Sequence, residues 1–196
     1  MEIFSLKNIH KQIWQNLSMG IENSTSTFHY PNICTINNEG YPSIRTVVLR
    51  KIDKINYKLF FNTDIRSLKW KELQNSSFIT AHFYDNKLKT QLRIYGKPKL
   101  HYKNNEWEEA WKNTKNMSRE CYASPYAPSI IINEPKIIDN TFSQLNKNKL
   151  DKFKVNFGRI EIKIKHIDWL YLKHSGHRRA KFIYDENKIT MNWLAP

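Results

Sequence analysis

The chain has 196 residues, a formal net charge of +14 and a pI near 9.7. A chain of this length suits one compact domain with a core that needs no covalent staples. The two cysteines, Cys34 and Cys121, are far apart and lack ligand-like spacing, which argues against a disulfide framework or a zinc site and for a cytoplasmic protein.

Leu6, Ile9, Ile13 and Leu17 recur at helical spacing, so an amphipathic helix is expected from Leu6 to Gly20, with the glycine ending it. The N-terminal residues do not read as an export signal, and no stretch approaches the ~20 apolar residues that span a bilayer. From Thr27 the pattern changes to short runs rich in Val, Ile, Thr, Tyr and Phe, predicting strands near 27–36, 42–51, 57–62, 77–84 and 88–101. The first two form a hairpin across Asn37-Asn38-Glu39-Gly40. A helix is expected after the capping pair Thr63-Asp64, running through Arg66 to Leu73, and another from Asn105 to Lys115. Prolines 125, 128 and 135 mark a loop, followed by a Lys- and Asn-rich helix around Thr141–Lys154 and strands near 158–171, 178–185 and 189–194. Antiparallel strands with a few helices predict a mainly β single domain over 1–196, a barrel with helical additions. Neither GxGxxG nor GxxxxGK[ST] occurs.

The positive charge first suggests a polyanion partner, because cations that neutralise phosphates release counterions. The lysines are scattered, however, and accompany abundant Asn and Ile as AT-rich codon usage would produce. The clustered footprint of a nucleic-acid binder is absent.

Three segments gather residues suited to a phosphorylated ligand. In Arg45-Thr46-Val47-Val48-Leu49-Arg50 two arginines bracket an apolar strand, with Ser43, Arg45, Val47 and Leu49 on one face. They offer bidentate hydrogen bonds to phosphate, or else point outward or pair with carboxylates, the plainer reading of this segment alone. At a strand end entering a helix, Asn62, Thr63, Arg66, Ser67 and Lys69 form either a phosphate cradle or an ordinary capped helix with solvated charges. Near the C-terminus, Trp169 to Tyr171, His177, Arg179, Lys181 and Trp193 mix aromatics with cations, as a planar phosphorylated cofactor or a core edge would require.

Together PSIRTVVLR at 42–50, FFNTDIRSLKWKEL at 60–73, TQLRIYGKPKL at 90–100 and the terminal NWLAP at 192–196 resemble the pyridoxamine 5'-phosphate oxidase family, in order and spacing. The resemblance covers most of residues 41–196; the first helix and the 120–155 region are poorly anchored. It implies an FMN-binding split barrel, a homodimer with flavin at the subunit interface, and a small, possibly phosphorylated substrate. By position, Arg45, Thr46, Val47, Val48, Leu49 and Arg50 lie along the flavin and its phosphate, Asn62 and Thr63 follow, and Lys69 meets the phosphate with Arg66 and Ser67 nearby. Gln91 approaches the isoalloxazine ring, while Tyr171 and Lys181 match late flavin contacts. His177 and Arg179 occupy the substrate positions, but in reversed order relative to the family's Arg-x-His pair. The substrate-phosphate positions correspond to Arg50, Trp111, Lys115 and Arg119. Arg and Lys are not interchangeable at such a site, so the pattern suits a divergent FMN-binding branch, either an oxidoreductase or a flavin-binding module without turnover.

Overall fold

The computed structural model describes residues 5–185 and 188–196. The first helix, α1 (Leu6–Glu22), is capped by Ser5, whose side chain accepts from Asn8 N, and buries Ile9, Ile13, Trp14 and Leu17. It runs past Gly20 because that glycine serves packing rather than termination. A Cβ there would stand 2.5 Å from the carbonyl oxygen of Phe28, in the 3-10 turn Thr27–His29 that crosses the helix end. The expected strand at 27–36 accordingly begins late, as β1 (Asn32–Ile36).

β1 pairs antiparallel with β2 (Pro42–Thr46) through the expected hairpin. The run expected as one strand from 42 to 51 is two, β2 and β3 (Leu49–Asp53). Val47 N donates to Pro31 O at 2.9 Å, the last bond in the β1–β2 register because Pro31 has no N–H to return one, and beyond it β3 pairs instead with β4 (Lys58–Asp64). The other strands are β5 (Ile79–Asp85), β6 (Thr90–His101), β7 (Phe157–Tyr171), β8 (Arg178–Asp185) and β9 (Lys188–Leu194). The order β2-β1-β5-β6-β7-β4-β3 puts β2 and β3 at opposite ends of one sheet, although only Val47 and Val48 separate them in the chain. The sheet must therefore curl back on itself. β8 and β9 extend it from β7.

The concave face and α1 enclose the main core, which includes Ile33, Leu59, Phe61, Phe83, Ile94, Ile167 and Phe182. Burying such side chains contributes roughly 1.5–3 kcal/mol each. Helix α2 (Leu68–Gln74) starts later than expected, with Ser67 at its N-cap position and no side-chain capping bond. Asp64 instead accepts from the backbone and guanidinium of Arg66.

The single helix expected over 105–115 divides into α3 (Asn105–Lys112) and α4 (Asn116–Glu120), parted where Thr114 N turns back onto Trp111 O. On the convex side of β4 and β7, α3 forms a second small core in which Trp107, Trp111 and Tyr122 surround Phe157. The helix expected over 141–154 is instead α5 (Lys136–Ser143) and a run of 3-10 turns over 147–156, broken by non-helical backbone at Lys149. Among the described residues no helix is long and apolar enough to cross a membrane, and no cluster of His, Cys, Asp and Glu could hold a metal ion.

Candidate functional site

The split between β2 and β3 builds the first site. Thr46, Val47, Val48 and Arg50 leave the sheet edge beside Asn62, Thr63 and Asp64 of β4, with Lys69 projecting from α2 and Cys121 and Tyr122 closing the far side. They line an open cavity of about 290 Å³. Seven of the residues singled out in the sequence, from two separate segments, meet here.

The cations differ in what occupies them. Lys69 donates to Thr63 Oγ1 at 3.1 Å, one hydrogen bond for an ammonium that carries three donors. Burial pushes its pKa down, the Arg45 guanidinium adds to that, and Asp64 and Glu72 oppose it. Arg50 is exposed and makes no hydrogen bond or ion pair with any described residue. Nearby, the buried side-chain oxygen Oδ1 of Asn62 has no hydrogen-bond partner among the described residues. Burying such an atom costs free energy unless a donor reaches it, so this wall is short of a partner.

Arg45 faces the opposite way. It sits on the concave face across from Ile33 and donates to Thr35 Oγ1, to Ser43 O at 2.7 Å and to Glu72 Oε2 at 3.0 Å. Thr35 and Glu72 are buried and also hydrogen-bonded to each other, so this network plugs one end of the barrel. The carboxylate pair that the sequence left open for Arg45 is formed, with Glu72. Arg66 is likewise occupied, by Asp64 at 2.6 Å and Ser124 O at 3.0 Å. Ser67 is buried with its hydroxyl donating to Asp64 O, and Leu49 belongs to the core. Neither Glu72 nor Asn62's orphaned oxygen could be found in sequence, since Glu72 lies 27 residues from Arg45 and reads as a helix-surface carboxylate.

The remaining sequence-marked residues stand elsewhere. Gln91, Leu170 and Arg179 are aligned across β6, β7 and β8, as are Arg93, Asp168 and Lys181 one step along. Arg179 is held bidentately by Asp168, at 2.7 and 3.1 Å, and Arg93 joins the same carboxylate at 2.9 Å. Burial would raise the Asp168 pKa, but these guanidiniums outweigh it and hold the carboxyl below its usual range. His177 accepts from Lys173 N through Nδ1 at 3.1 Å and lines, with Arg178, Arg179 and Trp193, a shallow cavity of about 410 Å³. Tyr171 stacks on Trp169 at 6.3 Å, beside a further cavity against α1.

A larger cavity of about 550 Å³ shares Arg50 and Asn62 with the first and extends over β7 and α3, where Lys51, Glu106, Lys115 and Arg159 contribute. Among the four substrate-phosphate positions inferred from sequence, Arg50 and Lys115 line it. Trp111 is instead buried and donates to Asp151, while Arg119 stacks on Trp111 at 4.8 Å and pairs with Asp151.

Known proteins share parts of this sequence and its fold. The family model "pyridoxamine 5'-phosphate oxidase, FMN-binding domain" matches residues 11–102, which hold β1 to β6 and most of the first cavity. A pyridoxine/pyridoxamine 5'-phosphate oxidase 2 of Arabidopsis thaliana is 32% identical over 126 residues, 59% of this chain and 64% of that protein. A pyridoxine/pyridoxamine 5'-phosphate oxidase of Pseudoalteromonas translucida is 28% identical over 120 residues, 61% of this chain and 54% of its own. The match thus spans less than two thirds of either relative's length. In fold, the chain superimposes on a pyridoxamine 5'-phosphate oxidase-related, FMN-binding protein of Nostoc punctiforme with a TM-score of 0.78 at 20% identity, covering 95% of this chain and 96% of that one. PhzG of Burkholderia lata, solved with tetrahydrophenazine-1-carboxylic acid, gives 0.74 at 16% identity, covering 95% and 91%. The chain has the split-barrel fold of pyridoxamine 5'-phosphate oxidase-like proteins, and its residues 11–102 are similar to that family's FMN-binding domain.

Proposed function

We propose that the protein binds FMN in the cavity between β2, β4 and α2 and acts as an oxidoreductase on a small, possibly phosphorylated substrate. The observation that carries this reading is the convergence of Thr46, Val47, Val48, Arg50, Asn62, Thr63 and Lys69 on one cavity, where the Lys69 ammonium keeps two donors spare and Asn62 Oδ1 has no partner. A phosphate supplies acceptors to the first, and a polar N–H or O–H of the ligand supplies a donor to the second.

In this reading Lys69, held in place by Thr63, neutralises the cofactor phosphate with Arg50. Arg45 acts at one remove: its pair with Glu72 fixes β2 against α2 and adds positive potential beside Lys69. Val47 and Val48 offer an apolar wall. Bound FMN supplies reversible two-electron redox chemistry, and the protein's contribution is position and electrostatics. Gln91 and Lys181 lie outside this cavity in the single chain, on the convex sheet, and Tyr171 lies beside α1, so their flavin contacts, and those of His177 and Arg179 with substrate, require a second copy. A homodimer is therefore part of the proposal.

The departures at Trp111 and Arg119, both turned into the small core, favour a second reading, a flavin-binding module without turnover of a vitamin. An absorbance spectrum of the desalted protein, followed by titration with FMN and then with pyridoxamine or pyridoxine 5'-phosphate under anaerobic conditions, separates the two. Flavin that binds and bleaches supports the oxidoreductase, flavin that binds without bleaching supports the module, and absence of flavin binding overturns both.

A further inference from the structure

The larger cavity contains a buried cation that the family resemblance does not account for. Arg159 lies near the start of β7, aligned with Asn62 of β4 on one side and His101 of β6 on the other, under α3. Its side chain is 6% exposed, yet it lines the 550 Å³ cavity. One face of the guanidinium rests on the Phe60 ring at 4.9 Å, and Nε lies 3.1 Å from Glu106 Oε1. That contact is an ion pair without hydrogen-bond alignment, because Nε has no hydrogen-bond partner, and the guanidinium donates to no other described residue. Arg66, Arg119 and Arg179, by contrast, each place at least two N–H groups on acceptors.

Glu106 does not neutralise this site, since it is shared with Lys51, whose ammonium stands 3.0 Å from Oε2. Arg50 and Lys115 add two more cations to the lining, their side chains making no hydrogen bond or ion pair with a described residue, while Glu109 supplies one opposing carboxylate. Burial pushes the Arg159 pKa down, but arginine remains charged in proteins. A charged group whose Nε is buried without an acceptor among the described residues is costly to keep, and an oxyanion presented in plane is the chemical group that satisfies such a fork bidentately.

We infer that Arg159 is a specificity-determining residue that receives the carboxylate or phosphate of a small organic anion entering the larger cavity. The inference rests on the proposed function for its consequence, because the shared wall at Arg50 and Asn62 puts that anion next to the proposed flavin site. It also explains how a substrate is gripped when Trp111 and Arg119 are committed elsewhere.

The test is calorimetric titration of the protein with benzoate and, separately, with inorganic phosphate, with and without FMN. Both are repeated for Arg159→Met and Arg159→Lys, and folding is checked by circular dichroism. Wild-type protein is expected to bind at least one probe, which identifies carboxylate or phosphate as the preferred source. Affinity should fall tenfold or more in Arg159→Met, and severalfold in Arg159→Lys, which keeps the charge and loses the fork. If the Met variant fails to fold, the Lys variant carries the comparison. Wild-type protein that binds neither probe, or variants that bind as well as wild type, overturn the inference. Quenching of FMN fluorescence on binding reads the flavin site independently. Arg159-dependent anion binding without flavin binding would sustain this inference and defeat the flavin reading, and the converse would do the opposite.

Discussion

The cavity between β2, β4 and α2 and the shallow one beneath β8 and β9 draw on similar residue types, cations beside apolar or aromatic walls, but their charge is spent differently. In the first, Lys69 makes one hydrogen bond and Arg50 none with described residues. In the second, Arg179 gives its guanidinium to Asp168, together with Arg93 from the neighbouring strand. Residue type alone does not make a binding group; what counts is whether the fold has already supplied its partner.

This difference can be broken at several points. The largest effect is expected for Lys69→Ala, which removes a charge-assisted contact worth about 1.5–3 kcal/mol and should weaken FMN binding by roughly 10- to 150-fold in a fluorescence titration. Arg45→Ala should weaken FMN binding less, and through stability: thermal melts should show the loss of the buried Arg45–Glu72 pair even in flavin-free protein. If Arg45→Ala cost flavin affinity with no change in melting, the assignment of Arg45 to structure would fail.

Next in size is Asp168→Asn, which leaves Arg93 and Arg179 without their carboxylate. It should lower stability by about 1–2 kcal/mol in urea unfolding, discounted because both guanidiniums are partly exposed. It should also free Arg179 for ligands, bringing the second cavity closer to the first.

A pH effect follows from Glu161, which is buried between His101 at 3.0 Å and Lys58 at 2.9 Å. Burial alone would raise its pKa; hydrogen bonds from His101 and Lys58 outweigh this and hold it at about 2 against an ordinary 4.5. Since the folded value is below the unfolded one, the stabilisation is fully present above the ordinary value and is lost as pH falls from there towards 2. Melting temperatures between pH 5 and 2 should therefore drop more steeply in wild type than in Glu161→Gln. The smallest effect is expected for His177→Ala, within about 0.5 kcal/mol of wild type, because its one described bond is a surface contact with Lys173 N.

Much of the fold was legible before the structure. Leu6 to Leu17 showed their helical period, the Asn37–Gly40 turn announced its hairpin, and the C-terminal strands carried their alternation, because these patterns are local and repeat within a few residues. The break at Val47-Val48 was not legible: the run from Pro42 to Lys51 is uniformly suited to a strand, and only the end of its partner ladder at Pro31 and the demand of a curled sheet divide it. Gly20 misled for a related reason, its small size serving contact with Phe28 rather than a helix end.

By itself the sequence determined the mainly β architecture, the resemblance to the pyridoxamine 5'-phosphate oxidase family, and the set of residues from which a site could be made. Tertiary structure alone decided which partners those residues meet within the chain. Glu72 pairs with Arg45, Asp64 with Arg66 and Asp168 with Arg179, whereas Lys69 keeps donors to spare and Arg159, unremarked in sequence, is buried with its Nε unpartnered among the described residues. The physical reason is that periodicity is a short-range property of the chain, while charge pairing across a sheet joins residues such as Arg93 and Asp168, 75 positions apart, whose meeting depends on strand order and register.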